Sequence, residues 1–210
     1  MNKSERLFKV LGADGKPFHG GKGFWNLPAN GEPGEWMPPI QGELVPCKNG
    51  YHLCREQDLL RWLGPTIWAA EYRGERIDDD EKVVVREARL IRQYTPWNER
   101  TARLFACDCA ERIVHFCGDD DRPRNAIEVA RRYANGKATD EELAAARAAA
   151  WAAAGAAAWA AAWDAAWAAA RAAARDAARD AAWAAAWAAA WDAERVWQTA
   201  RLMEYLDVQG

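Results

Sequence analysis

Two groups of residues in this sequence have types and spacings suited to chemistry. The larger lies between Leu143 and Arg195, where every fourth residue except Gly155 is large and nearly everything between is alanine; it includes Trp159, Trp163, Trp167, Arg171, Arg175, Arg179, Trp183 and Trp187. Indole faces stack on planar ligands and guanidinium groups take phosphates, a combination used where nucleotides or single strands are held without a catalytic centre. These residues form the candidate ligand-binding set. A plainer reading has the tryptophans filling space between alanine helices that lack apolar volume, with the arginines on a solvated face.

The second group is Cys47, His52 and Cys54. Thiolate and imidazole are preferred zinc ligands, but the spacing is not that of a zinc knuckle, and a fourth ligand would have to come from far along the chain. Two buried thiols beside a histidine hydrogen-bonded in a turn account for the same residues. The cluster Gly20-Gly21-Lys22-Gly23 has the glycine content of a phosphate cradle. It lacks the lysine–serine ending of a P-loop and no helix pattern follows it, so a plain turn is expected. No catalytic residue, metal site or cofactor is expected from these groups.

Alanine has the highest helix propensity, so the tract carrying the four-residue step is helical by default. Each step of four advances the side chain about 40° around the helix, and the row winds instead of holding one face. On an unbroken helix the triad Trp183, Trp187 and Trp191 would lie about 120° from Trp159, Trp163 and Trp167. An unbroken helix from Thr139 to Gln198 would also be about 90 Å long, well beyond a domain of this size. A break is therefore expected, with Gly155 the weak point and Asp176 or Asp180 able to cap a new helix. Antiparallel helices would then bring Arg171, Arg175 and Arg179 to a basic turn between the triads, and Arg171–Asp180 is where a site in this half is expected.

The rest of the chain supplies the frame. Residues 7–40 are rich in Gly and Pro, which makes turns and short strands, with Leu7–Leu11 as a first strand and Trp25 and Trp36 as anchors. Arg55–Leu63 reads as a short helix closed by Gly64 and Pro65. Two β-rich runs, Thr66–Glu75 and Lys82–Ile91, flank the Asp78–Glu81 loop as an antiparallel hairpin. Thr95-Pro96 opens the helical half, where Phe105, Cys109, Ile113 and Phe116 form an apolar stripe that puts Cys109 in the core and Cys107 on another face. Asp121-Arg122-Pro123 starts a second helix that ends at Asn135-Gly136, and Thr139 with Glu142 forms a capping box. The expected fold is α+β: a small N-terminal α+β domain over 1–94 with an antiparallel hairpin, then an all-α, Ala/Trp-rich antiparallel helical domain over 95–210.

With 28 Lys and Arg against 31 Asp and Glu, the formal charge is −3, which gives no global drive toward nucleic acid or anionic membrane. The five cysteines are an odd number with no framework spacing, and the first residues carry no apolar leader, so a reduced, cytoplasmic protein is expected. The Ala148–Ala170 run is too weakly apolar for a membrane span and contains Asp164.

Two resemblances extend this reading. The N-terminal order of strand, Gly50-Tyr51-His52-Leu53-Cys54, short helix and hairpin resembles a small uncharacterised α+β domain of bacterial and phage proteins. It also resembles ADP-ribosyltransferase folds, which implies an NAD site near Tyr51 and His52, with Glu71 or Glu87 as forced choices for the catalytic carboxylate. Ala106-Cys107-Asp108-Cys109-Ala110-Glu111-Arg112 with Asp121–Glu128 resembles the immunity-protein-like all-α family found near bacterial polymorphic toxins. That resemblance implies a non-catalytic protein acting by sequestration, of immunity or phage anti-defence type, whose partner is a toxin protein or a nucleotide-like immune signal. Neither membrane nor sequence-specific nucleic acid is an expected partner. The alternatives are an ADP-ribosyltransferase-like NAD-binding enzyme and a structural helical scaffold, a homo-oligomer through its alanine-rich faces.

Overall fold

The structure is a computed structural model that describes residues 5–117, 120–152 and 177–208, of which 113, 116–117 and 177–190 are described by backbone alone. The fold is α+β, with an antiparallel hairpin in its N-terminal half and helices in its C-terminal half. Grouped by contact, Met1–Asn98 with Gln198–Gly210 form one compact unit and Glu99–Trp197 the other.

In the first unit, β1 (Leu7–Leu11), β2 (Tyr51–Arg55), β3 (Thr66–Asp79) and β4 (Lys82–Gln93) close into a barrel in the order β1-β2-β4-β3. Every neighbouring pair is antiparallel. The hairpin expected from the β-branched runs is present and longer than those runs, because Asp78 and Asp79 pair with Val83 and Lys82 and only Asp80 and Glu81 make the turn. A register shift between Arg73 and Arg76 contains Gly74 at φ +78°, the left-handed conformation that a bulge asks of glycine. Alternating residues of all four strands meet in a core of Leu7, Leu11, Leu53, Trp68, Val83, Val85, Ala88 and Leu90, joined by Trp25. Burying each aliphatic side chain of this set is worth about 1.5–3 kcal/mol before entropy is counted.

Between β1 and β2 the chain makes isolated bridges, Leu11 to Pro17, Ala29 to Glu32 and Val45 to Asn49, in place of the short strands expected there. Gly34, Met37 and Ile40 donate their backbone N–H groups to the carbonyls of Leu90, Ala88 and Arg86 at 2.8, 2.9 and 3.0 Å, which lays this segment along β4. Trp25 anchors it in the core, and Trp36 is held between the Arg73 and Arg89 guanidiniums at 4.4 and 4.7 Å from its ring centroid. Glu56–Trp62 is a single short 3-10 helix. Leu202, Met203 and Leu206, near the end of the chain, are also buried, and Arg6 donates to both carboxylate oxygens of Asp207 at 2.9 and 2.7 Å.

The second unit contains α1 (Glu99–Ile113), α2 (Asp121–Ala134), α3 (residues 140–152) and the earlier part of α4 (Ala177–Asp207). The capping box at α3 is formed: Thr139 N–H donates to Glu142 Oε2 at 2.7 Å and Glu142 N–H to Thr139 Oγ1 at 3.2 Å. The cap of α2 lies one residue earlier than its sequence suggests, since Asp120 accepts the Arg122 N–H at 3.0 Å and leaves Asp121 as the first helical residue. On α1 the expectation for the cysteines is reversed. Cys107 is buried and Cys109 half-buried, and the buried Asp108 between them pairs with Arg131 of α2 at 2.7 Å. The expected break near Gly155 lies outside the described residues.

Gly50 tests how tightly the barrel closes. Its φ is +145°, and a Cβ there would stand 2.2 Å from Val84 Cγ1. Gly50→Ala is expected to lower stability by about 2–4 kcal/mol through overpacking and backbone strain, as read by the denaturant midpoint at an unchanged slope.

Candidate functional site

The β1 sequence Leu-Phe-Lys-Val-Leu puts Leu7, Lys9 and Leu11 on one side of the strand, since side chains alternate. Both leucines belong to the barrel core, so a lysine has been placed between two core positions. Its Nζ donates to the His52 carbonyl at 3.1 Å and lies 5.0 Å from the centroid of the Trp25 ring. Among the described residues no carboxylate pairs with it. Burial without a compensating anion disfavours the ammonium form and brings its pKa down to about 8.

Lys9 opens on a cavity of about 860 Å³ within the barrel unit. Its walls are β1, the Gly20–Gly23 loop with Phe24 and Trp25, the turn before β2, β2 itself, and Trp62 with Lys82. Gly20, Gly21 and Gly23 have φ of +93°, +102° and +86°, a conformation that only glycine takes without cost. His19 ties this loop to the 3-10 helix, with Nε2 at 2.8 Å from the Trp62 carbonyl and its ring edge-on to the indole.

The charge of the lining has one sign. Lys9, Lys22, Lys48 and Lys82 contribute to it, His19 and His52 also line the cavity, and the lining includes no Asp or Glu. Lys82 Nζ donates to Cys47 Sγ at 3.1 Å, which raises the lysine's pKa, and it sits 3.4 Å from Asp79 Oδ2 and 5.2 Å from the Trp62 centroid. His52 Nε2 accepts the Cys47 N–H at 2.9 Å. Burial first, then the nearby charges of Lys9 and Lys82, lower the His52 pKa and favour the neutral ring that this acceptor role requires. Tyr51 donates its hydroxyl to the Pro38 carbonyl at 2.7 Å, and burial raises its pKa.

The three zinc-type residues are thus drawn together for another purpose. Cys47 is exposed, a correction to the expectation of two buried thiols: its residue takes the left-handed conformation at φ +63° in the turn, and its sulfur faces Lys82. Cys54 is buried, and desolvation pushes its thiol up to about 12. No group of three or more His, Cys, Asp or Glu is placed to hold a metal ion among the described residues. Glu71 and Glu87, the carboxylates an NAD-dependent transferase would need, are absent from the cavity lining and are ion-paired to Arg89 and Arg73.

Of the tetrad candidates, Trp159, Trp163, Trp167, Arg171 and Arg175 lie outside the described residues. Arg179, Trp183 and Trp187 fall on α4 with only their backbone described. The sequence reading overlooked Lys9 and Lys82; the available signal was a lysine flanked on the same face of β1 by two leucines. No helix among the described residues is long and apolar enough to cross a membrane. No family model, curated protein or solved structure matches this chain.

A basic group whose folded pKa is depressed costs stability wherever it must be protonated in the fold. The unfolded chain holds the Lys9 proton up to about pH 10.4, the folded chain only to about 8, so this cost is full below 8 and fades as pH rises between the two. Lys9→Met is expected to stabilise the protein at pH 7 by about 1–3 kcal/mol, with the gain shrinking from pH 8 to 10. Denaturant melts of both proteins across that range check it.

Proposed function

We propose that this chain is a non-catalytic binding protein that sequesters a nucleotide-like small molecule in the barrel cavity, as an immunity or phage anti-defence protein would. The observation that carries the reading is a cavity whose lining has lysines and histidines and no carboxylate. An anion entering it would meet the ammonium of Lys9, otherwise without an ionic partner among the described residues, and that of Lys82. Phosphate oxygens suit these donors, and the glycine-rich loop at the wall takes a left-handed backbone that other residues adopt only at a cost. The half-buried ring of Trp62 and that of Phe24, 63% exposed at the rim, supply faces for a planar base. The size is that of ordinary small-molecule sites. A half-buried, destabilising lysine at a cavity wall is the kind of feature a binding function accounts for and packing does not.

Sequestration is favoured over NAD chemistry because Glu71 and Glu87 are each neutralised by an arginine and stand outside the lining. His52 and Tyr51 do border the cavity, so the enzymatic alternative is carried into the test. Titration with mononucleotides, cyclic nucleotides, NAD and ADP-ribose should quench tryptophan emission saturably and raise the melting temperature. Each charge-assisted contact is worth about 1.5–3 kcal/mol, so Lys9→Met or Lys82→Met should weaken binding about 10- to 150-fold. Unchanged emission and melting with every probe would refute the reading, and release of nicotinamide from NAD would replace it with the transferase.

A further inference from the structure

We propose that Lys9 is a nucleophilic amine that captures phosphate-bearing aldehydes in the barrel cavity as an imine. The inference stands on the placement of Lys9 and does not require nucleotide binding. Four observations carry it. The side chain projects from the core-facing side of β1, between Leu7 and Leu11, and is half-buried there. Its Nζ is oriented by one neutral acceptor, the His52 carbonyl at 3.1 Å, and by the Trp25 face, and among the described residues it has no ion pair to lock it as an ammonium. The lining holds a second cation, Lys82, and desolvation beside another cationic group is an established way to activate a lysine toward carbonyls. Finally, burial brings the Lys9 pKa to about 8, so a substantial fraction is free amine at neutral pH where a surface lysine has almost none.

The chemistry balances without an oxidant or reductant. The Nζ lone pair attacks the carbonyl carbon and a proton passes from nitrogen to the former carbonyl oxygen, giving a carbinolamine. Loss of one water forms the C=N bond, and hydrolysis reverses it. Lys82 stays protonated through its bond to Cys47 Sγ and is left to meet the phosphate.

The probe is pyridoxal 5′-phosphate, with pyridoxal as its phosphate-free counterpart, each followed by borohydride reduction and peptide mass spectrometry at pH 7.5. A single reduced adduct on Lys9 is expected, formed about ten-fold or more faster than at the surface residues Lys22 and Lys48. Lys9→Met should lose that adduct while keeping a cooperative melt, and pyridoxal should label several-fold more slowly. Labelling spread over Lys22, Lys48 and other surface lysines, or labelling that persists in Lys9→Met, would overturn the proposal. Nucleotide titration of the same protein is read separately, so a chain that binds no nucleotide yet labels at Lys9 refutes sequestration of nucleotides and not the amine.

Discussion

The barrel depends on one five-residue strand, β1, having two neighbours. β1 runs opposite β3 along its whole length and also pairs at Leu7 and Phe8 with β2, so the sheet has no free edge on that side. Closure removes the unpaired backbone groups that make an isolated hairpin marginal and an open edge prone to association. It also leaves β1 buried on both faces: Phe8 and Val10 are as enclosed as Leu7 and Leu11. A polar side chain on such a strand has nowhere inexpensive to go, and Lys9 is there.

That placement explains the character of the cavity. A buried ammonium is normally matched by a carboxylate, and this chain has carboxylates to offer on the neighbouring strands. They are committed elsewhere: Glu71 to Arg89, Glu87 to Arg73, Asp58 to Arg55 at 2.5 Å, and Asp78 to Arg76. These four acids are thus held by arginines, while Lys9 has no carboxylate partner among the described residues and Lys82 lies 3.4 Å from Asp79. Trp36 contributes to the same sorting, since the Arg73 and Arg89 guanidiniums that hold Glu87 and Glu71 also sandwich its ring.

Much of the frame was legible from local chemistry. Leu7–Leu11, the Thr66 and Lys82 strands, the short helix before Gly64 and the Thr139–Glu142 box are each marked by a local pattern of residue types, and each is present. What was not legible depends on distant partners. Which of Cys107 and Cys109 is buried depends on how α1 packs against α2, where Asp108 meets Arg131, and no stripe of apolar residues discloses that packing. The cavity was hidden for the same reason: Lys9, the Cys47–His52 turn and Lys82 are separated by tens of residues, and only barrel closure brings them together. A lysine in a short strand reads as solvent-facing when the other face is apolar, and β1 defeats that reading because both of its faces are enclosed.

The compact unit that holds the cavity is discontinuous in the chain. Gln198–Gly210 belongs with Met1–Asn98, and Glu99–Trp197 intervenes. On a ribosome, the strands would emerge long before Leu202, Met203 and Leu206, the side chains that finish burying this unit. Joining segments separated by roughly a hundred residues costs on the order of 4 kcal/mol in chain entropy if the intervening stretch is loose, and less once it is folded. Completion of the barrel unit thus waits on Leu202, Met203 and Leu206, which the chain supplies only after the intervening residues.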